Sequence, residues 1–332
     1  MQTVFFENQP RIVSAASIAG PKECEGICGK FVDKVLVDDR FGESTYEKAE
    51  CKMLSYAISK AIENAKYSEK DMDLLVSGDL LNQIISASFA ARDFDFPFLG
   101  VYGACSTLAE SYAIAAAFIN AKYYKRIVAA TGSHFSSAER QYRYPLELGN
   151  TRPPQSQWTV TGAGGAVIAD KSLTDSRLAI TSATLGKVVD YGITDVNNMG
   201  AAMAPAAADT ILRHLRESAK SPKDYDLIIT GDLGALGSRI LKDLTWEKGV
   251  DIQGNHIDCG EVIYNVIEDE FQGGSGAGCS AVVFNSYIMD KLKKRELNRV
   301  LLAATGALLS TVSSGQGESI PCICHAVSIE NV

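Results

Sequence analysis

Apolar residues along this chain cluster in two rhythms. Short apolar runs at Leu74–Val76, Phe98–Tyr102 and Ile127–Thr131, with a Gly-rich one at Val160–Asp170, are bounded by Gly, Ser and Asp. The same kind of run returns at Leu178–Leu185, Leu227–Thr230, Val300–Thr305 and Cys322–Ile329. Continuous runs of this sort predict strands buried on both faces. The second rhythm returns every three or four residues: Met53, Leu54, Ala57, Ile58, Ala61, Ile62 and Ala65 predict an amphipathic helix, with Ser44 and Glu47 as its capping box. Ser106–Lys122 is rich in Ala, Ile and Leu with almost no charge, so that helix is expected to be buried on most of its surface. Pro205, suited to a first helical turn, opens a helix running to Ala219, and another buried helix follows Cys279. Ser133–Trp158 breaks both rhythms: it is polar, holds Arg140, Arg143, Arg152 and Pro153-Pro154, and reads as a long functional loop.

The order of elements occurs twice. Ser68–Leu80 reads SEKDMDLLVSGDL and Ser221–Leu233 reads SPKDYDLIITGDL, identical at eight of thirteen positions with an offset of 153 residues. Cys105 echoes at Cys279 and Ala129-Ala130-Thr131-Gly132 at Ala303-Ala304-Thr305-Gly306, both offset by 174, and Ala166-Val167 echoes at Ala326-Val327, offset by 160. A repeat of this length is a whole α/β unit, not a solenoid repeat of ~20–50 residues. The expectation is therefore two similar halves, 1–172 and 173–332, related by a pseudo-twofold, with ligands bound where they meet. Asp79 and Asp232, each in a Gly-Asp-Leu after a buried strand, should be equivalents, each satisfied by a turn or a helix N-terminus.

Composition narrows the function classes. The net charge of −8, from 32 basic and 40 acidic residues, is spread along the chain without a basic block, which argues against nucleic acid as a partner. No apolar run reaches the ~18–20 residues of a membrane span, and the N-terminus has no signal-peptide pattern, so a cytosolic chain is expected. Eight cysteines in an acidic cytosolic chain are expected to be free thiols. Cys24-x3-Cys28 and Cys322-x-Cys324 lack zinc-ligand spacing, and no metal is expected.

One cysteine has a reactive setting. Cys105, in Gly103-Ala104-Cys105-Ser106-Thr107, lies between a predicted strand and a buried helix, where the first helical amides and the positive dipole end favour a thiolate and a nearby anion. Among the histidines, His214 is expected to face solvent among charges and His256 to lie in a Gly/Asn-rich loop, whereas His134 and His325 fall at strand ends near the junction of the halves.

The duplication, the Gly-Ala-Cys-Ser-Thr turn and the strand Val160-Thr-Gly-Ala-Gly-Gly-Ala-Val-Ile resemble the thiolase and ketoacyl synthase superfamily. More closely, Gly78-Asp-Leu-Leu-Asn-Gln, Ala138-Glu-Arg-Gln-Tyr-Arg-Tyr-Pro, Gly192-Ile-Thr-Asp, Met203-Ala-Pro-Ala-Ala-Ala-Asp-Thr-Ile and Glu318-Ser-Ile-Pro-Cys-Ile are similar to the stage V sporulation protein AD family, essentially end to end. The superfamily resemblance implies duplicated βαβαβαββ halves in five αβαβα layers and places Cys105 at the nucleophile position. It also implies a catalytic His just after the strand ending Thr230, where this chain has Gly231 and Asp232, or in the turn Gln272-Gly273-Gly274-Ser275-Gly276, which has none. Cys322-Ile323 resembles the second thiolase cysteine but is followed by Cys324-His325 instead of a Gly run. A nucleophile without a base does little chemistry, so the expectation is a protein that is not an enzyme and uses no cofactor.

The family resemblance implies binding of dipicolinic acid or its calcium chelate. It also implies uptake of that ligand into the developing spore with the SpoVA membrane proteins, peripheral association with the spore inner membrane, and a homodimer. An acyltransferase using Cys105 with His134 or His325 as base is the alternative, and a purely structural subunit of the channel assembly a third reading. Dipicolinate is a flat dianion. The amides of Ser106 and Thr107 are expected to hold one carboxylate, and Ser133, His134 and an Arg, Arg140 or Arg143, the other, with small residues at Gly231 and Gly274 leaving room for the ring. Asp232, Ser275 and His325 complete the candidate contacts.

Overall fold

The first half contributes strands β1 (Thr3–Phe5), β2 (Arg11–Ala19), β3 (Lys34–Val35), β4 (Leu74–Gly78), β5 (Phe98–Gly100), β6 (Arg126–Ser133), β7 (Trp158–Thr159) and β8 (Gly162–Ala169). The second contributes β9 (Leu178–Thr184), β10 (Leu227–Thr230), β11 (His256–Asp258), β12 (Gly274–Ser275), β13 (Arg299–Ala307) and β14 (Cys322–Asn331). The computed structural model describes residues 1–143, 149, 151–264 and 272–332. The main sheet runs β5-β4-β6-β8-β2 and then β9-β14-β13-β10-β11. In each half the three outer strands are parallel and the two inner ones antiparallel. Between the halves β2 adjoins β9 through one pair, Arg11 with Ala179, β1 pairs β9 over three residues, and β7 pairs β12 in a separate two-stranded ribbon. Register repeats with the sequence: Ala129 pairs with Ala166 and Ala303 with Ala326.

Helices α1 (Tyr46–Asn64) and α2 (Ile85–Ala91) cover the outer face of the first half. Helices α3 (Thr107–Asn120) and α4 (Phe135–Tyr142) follow in the chain, and α5 (Met199–Glu217) and α6 (Gly234–Glu247) cover the second half. After α7 (Cys259–Ile263), α8 (Ala277–Val283) lies with α3 between the two half-sheets. The result is five layers, α1/α2, sheet, α3/α8, sheet, α5/α6. Small residues let the middle layer seat closely; a Cβ on Gly164 of β8 would collide with the Ala281 carbonyl of α8.

Several repeated residues do the same job twice. Ser68 N–H donates to Asp71 at 2.8 Å and Ser221 N–H to Asp224 at 2.7 Å, while Asp73 accepts from the amides of Lys125 and Arg126 as Asp226 does from Asn298 and Arg299. Asp79 and Asp232 diverge. Asp79 accepts from Leu81 and Ala87 at 2.7 Å, holding its own next turn and the start of α2. Asp232 instead reaches Gly276, the N-cap of α8, at 2.9 Å and the Thr305 hydroxyl at 2.9 Å.

Elsewhere the structure corrects the expected elements. The α1 cap is Thr45, whose hydroxyl accepts from Lys48 N–H, and not Ser44. Helix α5 starts six residues before Pro205, which sits inside it. The expected loop 133–158 begins with β6 and α4, because His134 caps α4 through its own ring; residues 144–148 and 150 lie outside the described residues. His214 is fully buried: its Nδ1 meets Thr184 Oγ1 and its Nε2 meets Tyr225 Oη, both at 2.7 Å, since the adjoining charges point the other way round the helix. His256 opens β11 and bonds Thr230 Oγ1 at 2.9 Å.

Candidate functional site

The turn before α3 is tightly wound. Ala104 sits at φ +49°, and the Gly103 carbonyl lies so near Gly306 of β13 that a Cβ there would collide with it. Ser106 N–H donates to Gly103 O at 3.0 Å, and Thr107 N–H donates to Ala104 O. The two amides expected to hold a carboxylate are therefore consumed by the turn itself, and the hydroxyls of Ser106 and Thr107 fold back onto the same carbonyls.

Cys105 donates its thiol proton to Asp232. Burial, with the Asp232 carboxylate next, pushes the Cys105 thiol well above its ordinary range. Burial also raises Asp232, to about 6, against the pull of its donors: Cys105, the Gly276 amide and the Thr305 hydroxyl, with Ser275 Oγ at 3.4 Å. A carboxylate in the place where the superfamily would put an imidazole disfavours a thiolate, because two anions would share one buried site. The arrangement holds a proton and does not remove one.

Cys105 and Ser275 line a cavity of ≈ 40 Å³ with Leu80, Tyr102, Ala138, Tyr142, Met199, Ala307 and Leu309 as apolar wall and Glu139, Arg143 and Thr159 as polar wall. Arg143 lies 2.9 Å from Glu139 and Arg152 3.3 Å from the same oxygen, Glu139 being wholly buried. Two guanidiniums thus share one carboxylate. Stacking fixes the second: Arg152 lies over Phe135 and Trp158, themselves parallel with centroids 4.1 Å apart, and Lys22 caps the far face of the indole region at 4.0 Å. The hydroxyls of Tyr102 and Tyr142, 3.4 Å apart, stand between this cavity and an open groove of ≈ 570 Å³ lined by Asn82, Gln83, Leu308, Ser310 and Ser313.

Of the residues singled out in the sequence, Cys105, Asp232, Ser275 and Arg143 come together. His134 does not join them: buried against Tyr46, it accepts from Ser136 N–H at Nδ1 and so donates from Nε2 to Asp39 O at 2.6 Å. Ser133 donates to Val160 O and accepts from Gly278 N–H. Arg140 is half-exposed, 3.8 Å from Glu47, on a different groove. His325 accepts from Gly186 N–H at 3.2 Å, and burial pulls it down to about 4. Gly231 and Gly274 leave no slot for a ring, since a Cβ at either would press on Ala304 or on Ile263, Val160 and Cys279. Missed were Glu139 and Tyr142, which with Ala138 sit at helical spacing on one face of α4, a signal hidden by reading that segment as a loop.

Comparison with known proteins agrees on the fold. The human mitochondrial 3-ketoacyl-CoA thiolase in complex with CoA covers 100% of both chains with a TM-score of 0.62 at 13% identity. The 3-oxoacyl-[acyl-carrier-protein] synthase III from Aquifex aeolicus VF5 covers 97% of this chain and 99% of its own with a TM-score of 0.57 at 14% identity. These show the thiolase-like fold alone. The family model described as stage V sporulation protein AD matches residues 1–330. The stage V sporulation protein AD of Bacillus subtilis (strain 168) is 46% identical over 329 residues, 99% of this chain and 96% of that protein. With a match over nearly the whole length and a relative this similar, the chain belongs to the stage V sporulation protein AD family.

Proposed function

We propose that the protein binds dipicolinic acid, or its calcium chelate, at the junction of its halves and supports uptake of that ligand into the developing spore together with the SpoVA membrane proteins. The observation that carries the reading is the pair of guanidiniums, Arg143 and Arg152, that meet at the buried carboxylate of Glu139, with Arg143 also lining a cavity with an apolar wall. A guanidinium on a cavity wall can take an anion, and a carboxylate suits its fork. The enclosed space of ≈ 40 Å³ takes no more than a carboxylate, so the ring lies outside, over Tyr102 and Tyr142 in the groove.

The chain does no acyl transfer in this reading. Asp232 in place of a base and the raised Cys105 thiol support that, as do His134 and His325, whose ring nitrogens serve Ser136, Asp39 and Gly186. The protein works in the forespore, peripherally on the inner membrane; among the described residues no helix is long and apolar enough to cross one. The homodimer would form along β5, an edge strand whose Leu99 is exposed beside Ile85 and Phe89.

Calorimetry of the purified chain with dipicolinate, with and without calcium, and with an acyl-coenzyme A tests the reading. Heat with dipicolinate, none with the thioester and no adduct on Cys105 by mass spectrometry are expected. An acyl group carried by Cys105 and cleared on turnover would instead make this an acyltransferase.

A further inference from the structure

The start of β6 and the start of β13 stand in one row of paired residues: Arg126, Ala169, Arg11, Ala179, Glu330 and Arg299, each the ladder partner of the next. At about 4.8 Å per strand, the loops that open these two strands are at most about 25 Å apart. Both lie at the end of the molecule away from Cys105, whose turn follows the opposite end of the parallel strands β4, β5 and β6. One loop follows α3 and reads Lys122-Tyr123-Tyr124-Lys125-Arg126. The other follows α9 (Met289–Lys293), which continues α8 through a π-helical turn, and reads Lys294-Arg295-Glu296-Leu297-Asn298-Arg299.

The two helices close alike. One residue turns left-handed, Lys122 at φ +63° and Arg295 at φ +60°, and the next amide reaches back five residues, Tyr123 to Phe118 and Glu296 to Lys291. Glycine is the least strained residue at such a position, so a Lys and an Arg hold an exposed cation at equivalent points of the two halves against a backbone preference. With Lys293, the last residue of α9, the two loops carry seven basic residues and one acid, Glu296, in a chain of net charge −8. Glu296 is taken by Lys291 at 2.9 Å, and the neighbouring Asp73 and Asp226 accept from the loops' own amides. Lys122, Lys125, Lys293 and Arg295 are exposed and make no ion pair among the described residues. Beside them Tyr123 is 76% exposed. Complementing the helix dipole accounts for one cation at each helix end; it does not account for Lys125 or for an aromatic ring left in water.

We propose that this end of the molecule is a membrane-contacting surface: Lys122, Lys125, Lys293 and Arg295 meet the anionic headgroups of a phospholipid bilayer, and the Tyr123 ring enters the headgroup layer. Tyr beside Lys and Arg is the pairing suited to that boundary, where the ring takes the interface and the cations the phosphates. A protein partner would call for an apolar core, and no large apolar side chain but Tyr123 is exposed in either loop. This surface gives a face to the peripheral location put forward above, on which it rests. It also turns the Cys105 junction away from the bilayer, since β6, eight residues long, separates the two by about 25 Å.

The test is co-sedimentation of the full chain with vesicles of phosphatidylcholine, alone or with about 30% phosphatidylglycerol. Wild type should pellet with the anionic vesicles and not with the neutral ones, and should come off as salt rises from about 0.05 to 0.5 M. Lys122→Gln combined with Lys125→Gln should weaken partitioning about tenfold or more, each cation near the surface being worth about fivefold. Lys122→Gly and Arg295→Gly separate folding from contact: each relieves a left-handed turn, so each should melt no lower than wild type and yet bind vesicles more weakly. Lys48→Gln combined with Lys187→Gln removes as much charge at the other end and should bind as wild type does. All these variants should keep the dipicolinate heat of wild type, and a chain that gave no such heat would still be expected to pellet. Wild type left in the supernatant with anionic vesicles, equal pelleting with neutral ones, or loop variants that bind undiminished would each overturn the proposal, the first leaving these loops to an acidic protein partner.

Discussion

Asp232, from the end of β10, accepts the thiol proton of Cys105, from the turn before α3, so the two halves meet in one proton held between a carboxylate and a sulfur. Removing the charge should free the thiol. In Asp232→Asn, Cys105 should lose an anionic neighbour, titrate at lower pH and react faster than wild type with a small methanethiosulfonate at mildly alkaline pH. Intact-mass time courses read the rate; an unchanged or slower one would mean that burial alone silences the thiol.

Arg143 and Arg140 make a matched pair of tests. Arg143 lines the cavity beside Ser275, whereas Arg140 lies half-exposed near Glu47. Arg143→Met should weaken dipicolinate about 10- to 100-fold, in keeping with about 1–3 kcal/mol for a lost charged partner, and Arg140→Ala should stay within about twofold. The opposite ranking in calorimetry would put the ligand in the outer groove alone.

His214 gives an acid-side signature. Burial holds it down to about 4, below its ordinary 6.5, so the fold favours the neutral ring. Its stabilising effect is full above about 6.5 and is lost as pH falls towards 4. Thermal unfolding followed across that window should fall less steeply in His214→Gln, which should also be about 1–3 kcal/mol less stable at neutral pH because Thr184 and Tyr225 lose a partner.

Glu50 gives the opposite sign. Burial, and Asp79 next, raise this carboxyl well above its usual range, and Ser137 donates to it at 2.5 Å. A group raised in the fold contributes most at low pH and loses that contribution as pH rises through its folded value. Glu50→Gln should therefore gain on wild type in melting temperature as pH rises, and parallel curves would show that Glu50 titrates alike in the folded and unfolded chain.

Legibility followed packing. Ser68, Asp71, Asp73, Ala129 and Ala166 were readable as a repeat because turns and ladders need the same small or acidic residue in both halves. Asp232 was readable as a position but not as a partner of Cys105, since contacts between distant segments leave no local spacing. His214 misled because Arg213 and Arg216 beside it are polar while its own side of α5 faces β9 and Tyr225. Arg143 was readable as a candidate cation, but Glu139 was hidden by the polar composition of α4, whose helix is held by the His134 ring instead of a customary Ser or Asp cap.

The middle layer carries a consequence for assembly. Tyr112 of α3 bonds Asn285, which follows α8, at 2.5 Å and meets Phe284 edge-on at 6.1 Å, so α3 and α8 keep each other dry. A lone half would leave that surface in water, and separately produced pieces should fold only when mixed. A single half of this kind would need an identical partner to cover that surface, and in the joined chain one Gly-Asp-Leu turn, at Asp232, serves the site while its twin, Asp79, stays with its own helix.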